Sequence, residues 1–254
     1  MAAGLLLEDL EKSCPGPGGS PAVKVLDKIR FTARAGSITG IVGLNGCGKT
    51  TLLRIIAGLE PADAGRIRLE GEGAGGIGMV FQEVALLPWR TVRRNISLGL
   101  ELNGTPEARR GRIVEGFLSV FGLEENADQY PRELSGGTRQ KTAIARALAP
   151  GPGVVLMDEP FSALDAQTRD GMQKFLLRVW TERRDTILFV THNIEEAVYM
   201  SDQVVIITPK PARVAAVIPV PLPRPRDKTG PECNLLRREI FSILHKPGAS
   251  PRME

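Results

Sequence analysis

The stretch Gly-Leu-Asn-Gly-Cys-Gly-Lys-Thr-Thr, residues 43–51, decides how the rest of the chain is interpreted. It matches the phosphate-binding pattern G-x-x-x-x-G-K-[ST], with Gly43, Gly48, Lys49 and Thr50 at the fixed positions. Glycines lack a Cβ, so the backbone can curve around a polyphosphate and direct successive N–H groups at its oxygen atoms. Lys49 adds a mobile positive charge for the β- and γ-phosphates, and the Thr50 hydroxyl can ligate Mg²⁺. The pattern predicts a polyphosphate-binding site.

The residues on either side of this loop support the same interpretation. Ser37–Val42 is predicted as a buried strand, and Thr51–Ala57 as a helix that ends at Gly58. A helix that starts directly after the loop places the positive end of its dipole beneath a bound anion. The alternative is a glycine-rich turn between a strand and a helix that binds no ligand.

Length and composition indicate an ordinary globular protein. The 254 residues are enough for one large domain or two small ones, and 42% of them are hydrophobic and 24% charged. No apolar run approaches the ~18–20 residues of a membrane span, and the acidic N-terminus does not resemble a signal peptide. We therefore expect any role at a membrane to depend on a partner. The cysteines Cys14, Cys47 and Cys233 form no disulfide or zinc pattern and favour a reducing, cytosolic compartment.

A net charge of +4 and a low aromatic content argue against a nucleic-acid partner. A nucleic-acid interface needs a clustered basic face with interleaved aromatic residues, and only 5% of this chain is aromatic. The loosely clustered basic residues near the C-terminus are predicted to form a solvated tail; they are Arg224, Arg226, Lys228, Arg237 and Arg238.

The order of the remaining elements predicts an α/β sheet interrupted by a helical insert. The other predicted strands are Val23–Phe31, Arg66–Glu70, Ile77–Phe81, Val154–Met157, Thr186–Val190 and Gln203–Ile207. Five other helices are predicted. One begins at Thr91, a second ends at Gly122, a third begins at Ser135, and the last two cover Met172–Val179 and residues 233–246. The predicted loops are Pro15–Pro21, Gly71–Gly78 and, after an edge strand, the Pro-rich part of residues 209–231.

Polar side chains follow three of the predicted strands at their C-terminal ends. Asp158 and Glu159 follow one apolar strand, His192 follows the next, and Gln82 ends an earlier one. Because ligands of open α/β sheets bind at the carboxyl ends of strands, these groups are expected to share one edge. Asp158 could hold Mg²⁺, and Glu159 could orient or deprotonate an attacking water. His192 could contact a γ-phosphate, and Gln82 could reach the metal or the water; the alternatives are helix caps, a surface histidine and a solvated glutamine.

A second helix start suited to an anion is present at Ser135-Gly136-Gly137. An N-cap serine followed by two glycines leaves free N–H groups, a hydroxyl and a positive dipole end. The alternative is a capped helix without a ligand, and the residues alone do not decide between them.

Together these motifs resemble the nucleotide-binding subunit of an ATP-binding-cassette (ABC) transporter. The matching segments are Walker A (43–51), the Q-loop (Gln82), the ABC signature (Leu134–Gln140), Walker B (Val154–Glu159), the D-loop (Ser162–Asp165) and the switch histidine (His192). They occur in the order of the family and cover roughly residues 5–220. The resemblance implies an α/β P-loop NTPase fold within an ABC ATPase domain at residues 1–220. A RecA-like core with an antiparallel β subdomain would comprise 1–82 and 151–220, and an inserted α-helical ABC subdomain 83–150, followed by a Pro-rich linker and short C-terminal helix at 221–254.

The resemblance also implies the ligands and the residues that bind them. The cofactors would be ATP and Mg²⁺. The implied nucleotide-binding residues are Gly43, Asn45, Gly46, Cys47, Gly48, Lys49, Thr50, Thr51, Ser135, Gly136, Gly137, Gln140 and Asp165. The implied catalytic residues are Glu159, His192, Lys49 and Gln82, and the implied metal-binding residues are Thr50, Gln82 and Asp158.

One departure from the family concerns the nucleobase. The family usually stacks an aromatic residue on adenine after the first strand, and the register places Cys14 there. Residues 1–30 contain no aromatic residue. Loss of this stacking face is expected to weaken binding of the base by ~1–3 kcal/mol, by analogy with base stacking elsewhere.

The resemblance implies several partners. Two copies would pair head to tail, so that Ser135 and Gly137 of one complete the phosphate site of the other. The other implied partners are integral-membrane permease subunits and, indirectly, a periplasmic or extracellular solute-binding protein. The ATPase would then lie peripherally on the cytoplasmic face of the cell membrane.

Three segments resemble those of bacterial importers, in particular the nitrate, sulfonate, taurine and bicarbonate group; they are Met79–Trp89, Thr191–Ala197 and Val220–Pro225. The solute would be a small one, such as nitrate, a sulfonate or taurine. Leu86–Asn95 would lie where the coupling helix of a permease docks, with ordinary packing as the alternative for Trp89. The alternatives for the whole chain are an ABC ATPase of another importer class, one that acts in DNA repair or translation, and a non-catalytic binding module.

Overall fold

The computed structural model describes residues 2–16, 20–71 and 75–245. Its strands are β1 (Gly4–Cys14), β2 (Val23–Ala33), β3 (Ile38–Val42), β4 (Ala64–Glu70), β5 (Ile77–Val80), β6 (Val154–Asp158), β7 (Thr186–Thr191), β8 (Gln203–Ile207) and β9 (Val214–Pro219). Its α-helices are α1 (Lys49–Ile56), α2 (Val92–Leu102), α3 (Glu107–Phe121), α4 (Gly136–Leu148), α5 (Ala166–Arg183), α6 (Ile194–Met200) and α7 (Pro231–Leu244). Parts of the predicted loops Pro15–Pro21 and Gly71–Gly78, and the end of the predicted helix 233–246, lie outside the described residues.

A central sheet places the phosphate-binding loop. Six strands lie in the order β5-β6-β7-β3-β8-β9, and all are parallel except β9, which runs antiparallel to β8. Strand β6 is buried along its whole length: Val154 and Leu156 pack into one core cluster, and Val155 and Met157 into another. A parallel strand covered on both faces requires such a continuous apolar run. The predicted α/β sheet is confirmed, and β3 brings the loop to the middle of its edge.

A small antiparallel sheet covers one face of the central sheet. Its three strands lie in the order β2-β1-β4. The inward side chains of β1, such as Leu5 and Leu7, share a core cluster with Leu52 and Leu53 of α1 and with Val205 of β8. Helix α1 therefore lies between the two sheets, which holds its N-terminus firmly beneath the loop.

Three helices of the insert and helix α5 cover the other face. Helices α2, α3 and α4 contribute to one core cluster together with α5 and with the inward residues of β6 and β7. Phe121 of α3 lies edge-on to Phe175 of α5, with 5.1 Å between ring centroids. Thr91 caps α2, and Gly122, in the left-handed conformation, ends α3. These boundaries confirm the sequence prediction, since both signals are local.

The C-terminal segment differs from the sequence prediction. Arg226 is buried and donates hydrogen bonds to backbone carbonyls of α6 and of residues 220–222. Arg224 pairs with Asp202 (2.6 Å), and Lys228 pairs with Asp170 (2.9 Å). The prediction of a solvated basic tail is therefore wrong for these three residues, because their partners lie far away along the chain.

Two further features concern helices. Helix α1 begins at Lys49, two residues before the predicted start, because Gly48 takes a left-handed conformation (φ 116°) and ends the loop. No helix in residues 2–16, 20–71 or 75–245 is both long and apolar enough to cross a membrane.

Candidate active site

The C-terminal ends of neighbouring parallel strands surround one cavity of about 410 Å³. The loop after β3 forms its floor, and Gln82, Glu159 and His192 follow β5, β6 and β7. The cavity is lined by Asn45, Gly46, Gly48, Lys49, Thr50, Thr51, Gln82, Glu159, His192 and Lys210. The structure thus brings together most of the residues that the Walker, Q-loop and switch-histidine motifs predicted.

The loop conformation depends on its glycines. Gly46 and Gly48 have φ values of 74° and 116°, which side-chain-bearing residues rarely adopt. A Cβ on Gly48 would also lie 2.9 Å from Cγ1 of Val25. The buried Lys49 ammonium donates to the carbonyls of Gly43 (2.9 Å) and Leu44 (3.1 Å), inside the curve of the loop. The loop therefore presents a positive charge and the N-terminus of α1 to the same space.

Thr50 and Asp158 form an oxygen pair next to the loop. The Thr50 hydroxyl donates to Oδ1 of Asp158 at 3.3 Å. Burial raises the pKa of Asp158, and the neighbouring charge of Glu159 acts in the same direction. A hydroxyl and a carboxylate are hard oxygen donors that suit Mg²⁺. Among the described residues, no group of three or more His, Cys, Asp or Glu side chains forms a metal cluster. The Thr50 hydroxyl and the Asp158 carboxylate are the two oxygen groups beside the loop that could hold such an ion.

Glu159 and His192 contact each other across the cavity edge. Oε2 of Glu159 lies 3.1 Å from Nδ1 of His192. The Glu159 side chain is only 15% exposed, whereas that of His192 is 52% exposed. Glu159 has a left-handed backbone conformation (φ 44°). Two hydrogen bonds hold it: the Glu159 N–H donates to Val190 O, and the Ser162 hydroxyl donates to Glu159 O. A strained residue held by its surroundings is typical of a functional position, and Glu159 is one of the residues that line the cavity.

The signature residues do not reach this cavity. Ser135 caps α4 by accepting from the Thr138 N–H at 3.2 Å, and both Ser135 and Gly136 are exposed. Asp165 caps α5, and the hydrogen bond from Thr168 holds its pKa below the ordinary value. A Cβ on Gly137 would lie 3.2 Å from Cγ2 of Thr168, so the two capped helix starts are neighbours.

The side chains of Gln140, Cys47 and Cys14 do not line the cavity. Gln140 is buried inside α4, and its Nε2 has no hydrogen-bond partner among the described residues. The Cys47 side chain is buried beneath the loop, where burial raises the pKa of its thiol, so only its backbone can face a ligand. Cys14 is the last residue of β1, lies opposite Val23 and packs against the core; the side chains around the cavity do not include it.

Two residues at or near this site were not singled out in the sequence. Glu196 is buried, accepts from the Thr191 hydroxyl (2.8 Å) and lies 3.7 Å from Arg169, which in turn donates to Leu164 O. This chain of contacts joins the residue before His192 to the segment before α5. Lys210 lines the cavity from the turn after β8. The signal that could have found it is its position after another strand of the same sheet edge.

Comparisons with known proteins show what this chain is similar to. The family profile described as "ABC transporter" matches residues 26–162. An uncharacterised ABC transporter ATP-binding protein of Methanocaldococcus jannaschii is 46% identical over 248 residues, which are 96% of this chain and 92% of that protein. The taurine import ATP-binding protein TauB of Escherichia coli is 45% identical over 207 residues, 80% of either chain.

Solved structures show the same fold. A dimeric, post-hydrolysis structure of the ATP-binding cassette MJ0796 bound to ADP and Pi superposes with a TM-score of 0.72 at 27% identity. It covers 85% of this chain and 98% of that chain. The structure of cbiO1 from Clostridium perfringens, part of the ABC transporter complex cbiONQ, superposes with a TM-score of 0.73 at 28% identity and covers 85% of this chain and 88% of that chain.

Proposed function

The chain belongs to the ABC transporter family, and from that premise we propose that it hydrolyses ATP to energise import of a small solute through a separate membrane permease. The observation that supports this most directly is the single sheet edge where the loop, Asp158, Glu159 and His192 meet around one cavity. The taurine import protein among its relatives supports a small solute such as taurine or another sulfonate.

The loop and α1 bind the triphosphate. Backbone N–H groups around Gly46 and Gly48, together with the dipole of α1, attract the phosphate oxygens. Lys49 already lies inside the loop, so its ammonium needs only to exchange carbonyl partners for the β- and γ-phosphates. Such fixed donors stabilise the charge that develops on the transferred phosphoryl group, because they need no reorganisation.

Thr50, Asp158 and Gln82 are the residues that would hold Mg²⁺ in this proposal. When bound, the ion neutralises negative charge on the β- and γ-phosphates. The buried Asp158 carboxylate, which lies beside the Thr50 hydroxyl, would gain a cation that offsets its desolvation.

Glu159 and His192 act together at the reacting phosphate. The mostly covered Glu159 carboxylate, which lines the cavity, orients and deprotonates the attacking water. The more exposed His192 donates to the γ-phosphate, and its contact with Glu159 fixes the two side chains relative to each other.

A second copy completes the site. Ser135 and Gly137 of one copy, at the exposed start of α4, bind the phosphates held by the loop of the other in a head-to-tail homodimer. This explains why a capped helix start with free N–H groups faces outward in one copy. The dimeric MJ0796 cassettes support a homodimer. The core at 1–82 and 151–220 then supplies the loop, and the helical subdomain at 83–150 supplies the signature.

The segment Leu86–Asn95 receives the coupling helix of the permease. Trp89 is 69% exposed within it. The buried Asn95 shapes this turn, because its amide accepts from Leu87 N (2.9 Å) and donates to Arg90 O (2.9 Å). An exposed aromatic on a rigid turn suits a protein–protein contact. The ATPase would then lie on the cytoplasmic face of the membrane, with an external solute-binding protein as an indirect partner.

The test of hydrolysis is Glu159→Gln, which preserves shape and removes the carboxylate charge. We expect Mg·ATP to bind within about twofold of wild type and turnover to fall by about 10²–10⁴-fold, the usual contribution of a general base. Phosphate release reports turnover, and equilibrium titration reports binding. The matched control is Glu182→Gln on the exposed end of α5, which should leave both values unchanged. Steady-state turnover of Glu159→Gln close to wild type would refute the assignment. Purification from membranes and identification of the co-purifying permease test the transport partner.

A further inference from the structure

Lys210 lines the cavity but belongs to none of the nucleotide-binding motifs. The strand order is β6-β7-β3-β8, so the loop after β3 has the catalytic groups on one side and Lys210 on the other. Glu159 and His192 follow β6 and β7, whereas Lys210 lies in the turn that follows β8. A nucleotide whose γ-phosphate lies beside Glu159 must therefore extend its other end toward Lys210.

The turn that carries Lys210 is held in place on both sides. Thr208 N donates to Arg213 O (2.9 Å), and Arg213 N donates to the Thr208 hydroxyl (2.9 Å). Ala212 N donates to Val25 O (2.8 Å), and Asp27 N donates to Ala212 O (2.9 Å), which fastens the turn to β2. Strand β2 also supports the loop, because Val25 packs against Gly48. The backbone of Lys210 is thus fixed relative to the phosphate-binding loop.

The ammonium of Lys210 is available for a ligand. Nζ forms no hydrogen bond or ion pair with any residue in the described part of the chain, and the residue is exposed. The charges of Lys49 and Lys210 both oppose the burial-induced rise in the pKa of Cys47, as expected of two cations that flank the same loop. Lys49 lies inside the loop, and Lys210 adds the second positive charge of this cavity at its far side.

We propose that Lys210 binds the α-phosphate of the nucleotide and so supplies affinity that does not depend on the base. An ammonium offers three donors and no acceptor, so a phosphate oxygen is its best partner on a nucleotide. Residues 1–30 contain no aromatic side chain, and Cys14 does not line the cavity. Phosphate contacts then carry the binding that a stacking face would otherwise provide. This inference rests on the proposed function, because it assumes that a nucleoside triphosphate occupies the cavity.

The test compares three probes, Mg·AMP-PNP, Mg·GMP-PNP and inorganic Mg·tripolyphosphate, on otherwise wild-type protein. We expect Lys210→Met to weaken all three by the same factor, about tenfold, the loss expected for one hydrogen bond between charged groups. The variant should also show a shallower dependence of affinity on ionic strength. Lys210→Arg should restore affinity to within about threefold. The matched control Lys174→Met, on an exposed face of α5, should leave all three affinities unchanged.

Steady-state kinetics provide an independent readout. Because Lys210 lies away from the reacting phosphate, Lys210→Met should raise KM for ATP and leave kcat unchanged. Unchanged affinity for all three probes would overturn the proposal. A loss confined to the two nucleotides, with tripolyphosphate unaffected, would also overturn it, because the contact would then be to base or ribose. Failure of the proposed function is distinguishable, since wild-type protein would then bind none of the probes or would bind them without hydrolysing ATP.

Discussion

Replacement of the buried Arg226 by methionine should destabilise the fold strongly, although the residue lies in a segment rich in proline. Its five N–H donors make six contacts of 2.6–3.2 Å with five backbone carbonyls, so one N–H is shared between two of them. The acceptors are Val198, Tyr199, Ser201, Val220 and Leu222. The first three are at the C-terminal end of α6, so one side chain satisfies the carbonyls that a helix end leaves without partners. Arg226→Met keeps the length of the aliphatic stem and removes every donor.

The magnitude follows from the loss of these bonds. Each hydrogen bond to a charged group contributes about 1.5–3 kcal/mol, and the desolvation cost of the buried cation offsets much of the sum. We expect a net loss of about 3–5 kcal/mol in the free energy of unfolding, the range for removal of one partner from a buried charged network. The entropy of unfolding of a chain of 254 residues is about 0.5 kcal/mol/K, so Tm should fall by about 6–10 °C.

Thermal and denaturant unfolding measure this change, with two further variants as references. Arg226→Lys keeps the charge but has only three donors, so its Tm should lie between those of wild type and Arg226→Met. Arg238→Met, on the exposed face of α7, should leave Tm unchanged. Burial lowers the pKa of Arg226 to about 10, so the side chain is charged in both folded and unfolded states at pH 6–8. The difference in Tm should therefore be constant over that range. A fall of less than 2 °C for Arg226→Met would show that Arg226 does not hold the end of α6.

Three further predictions concern the site and the dimer. Gly48→Ala should lower Tm and abolish nucleotide binding because its Cβ meets Val25. Gly46 has a positive φ but open space around it, so Gly46→Ala should lose only about 1–2 kcal/mol of stability from backbone strain. Equal losses of stability in the two variants would contradict this. Asp158→Asn should raise Tm at neutral pH without ligand, because the raised pKa of Asp158 means that its ionisation destabilises the fold. The gain in Tm should vanish as the pH falls to the ordinary carboxyl pKa. A gain in Tm that is independent of pH would refute this cause. Ser135→Arg, in the Glu159→Gln background with Mg·ATP, should abolish dimers in light scattering while each copy still binds ATP, and persistent dimers would remove the head-to-tail interface.

Much of the fold was predictable because its signals are local. The loop at 43–51, the caps at Thr91 and Ser135, and the stop at Gly122 depend on residues within a few positions of each other. The shared sheet edge was also predictable, since parallel strands bring their carboxyl ends together whatever their order. The contact between Glu159 and His192 was not, because 33 residues separate them and only the pairing of β6 with β7 makes them neighbours.

The sequence by itself determined the chemistry of this protein: a glycine-rich loop, a lysine, and acids at strand ends are readable because covalent spacing alone positions them. Only the tertiary structure decided which charges are buried and which remain free. Arg226 and Lys210 lie in the same Pro-rich stretch, yet one is enclosed by five carbonyls and the other faces the cavity without a partner among the described residues. The reason is that desolvation and hydrogen bonding of a charge depend on groups brought together from distant parts of the chain, which composition and periodicity do not record.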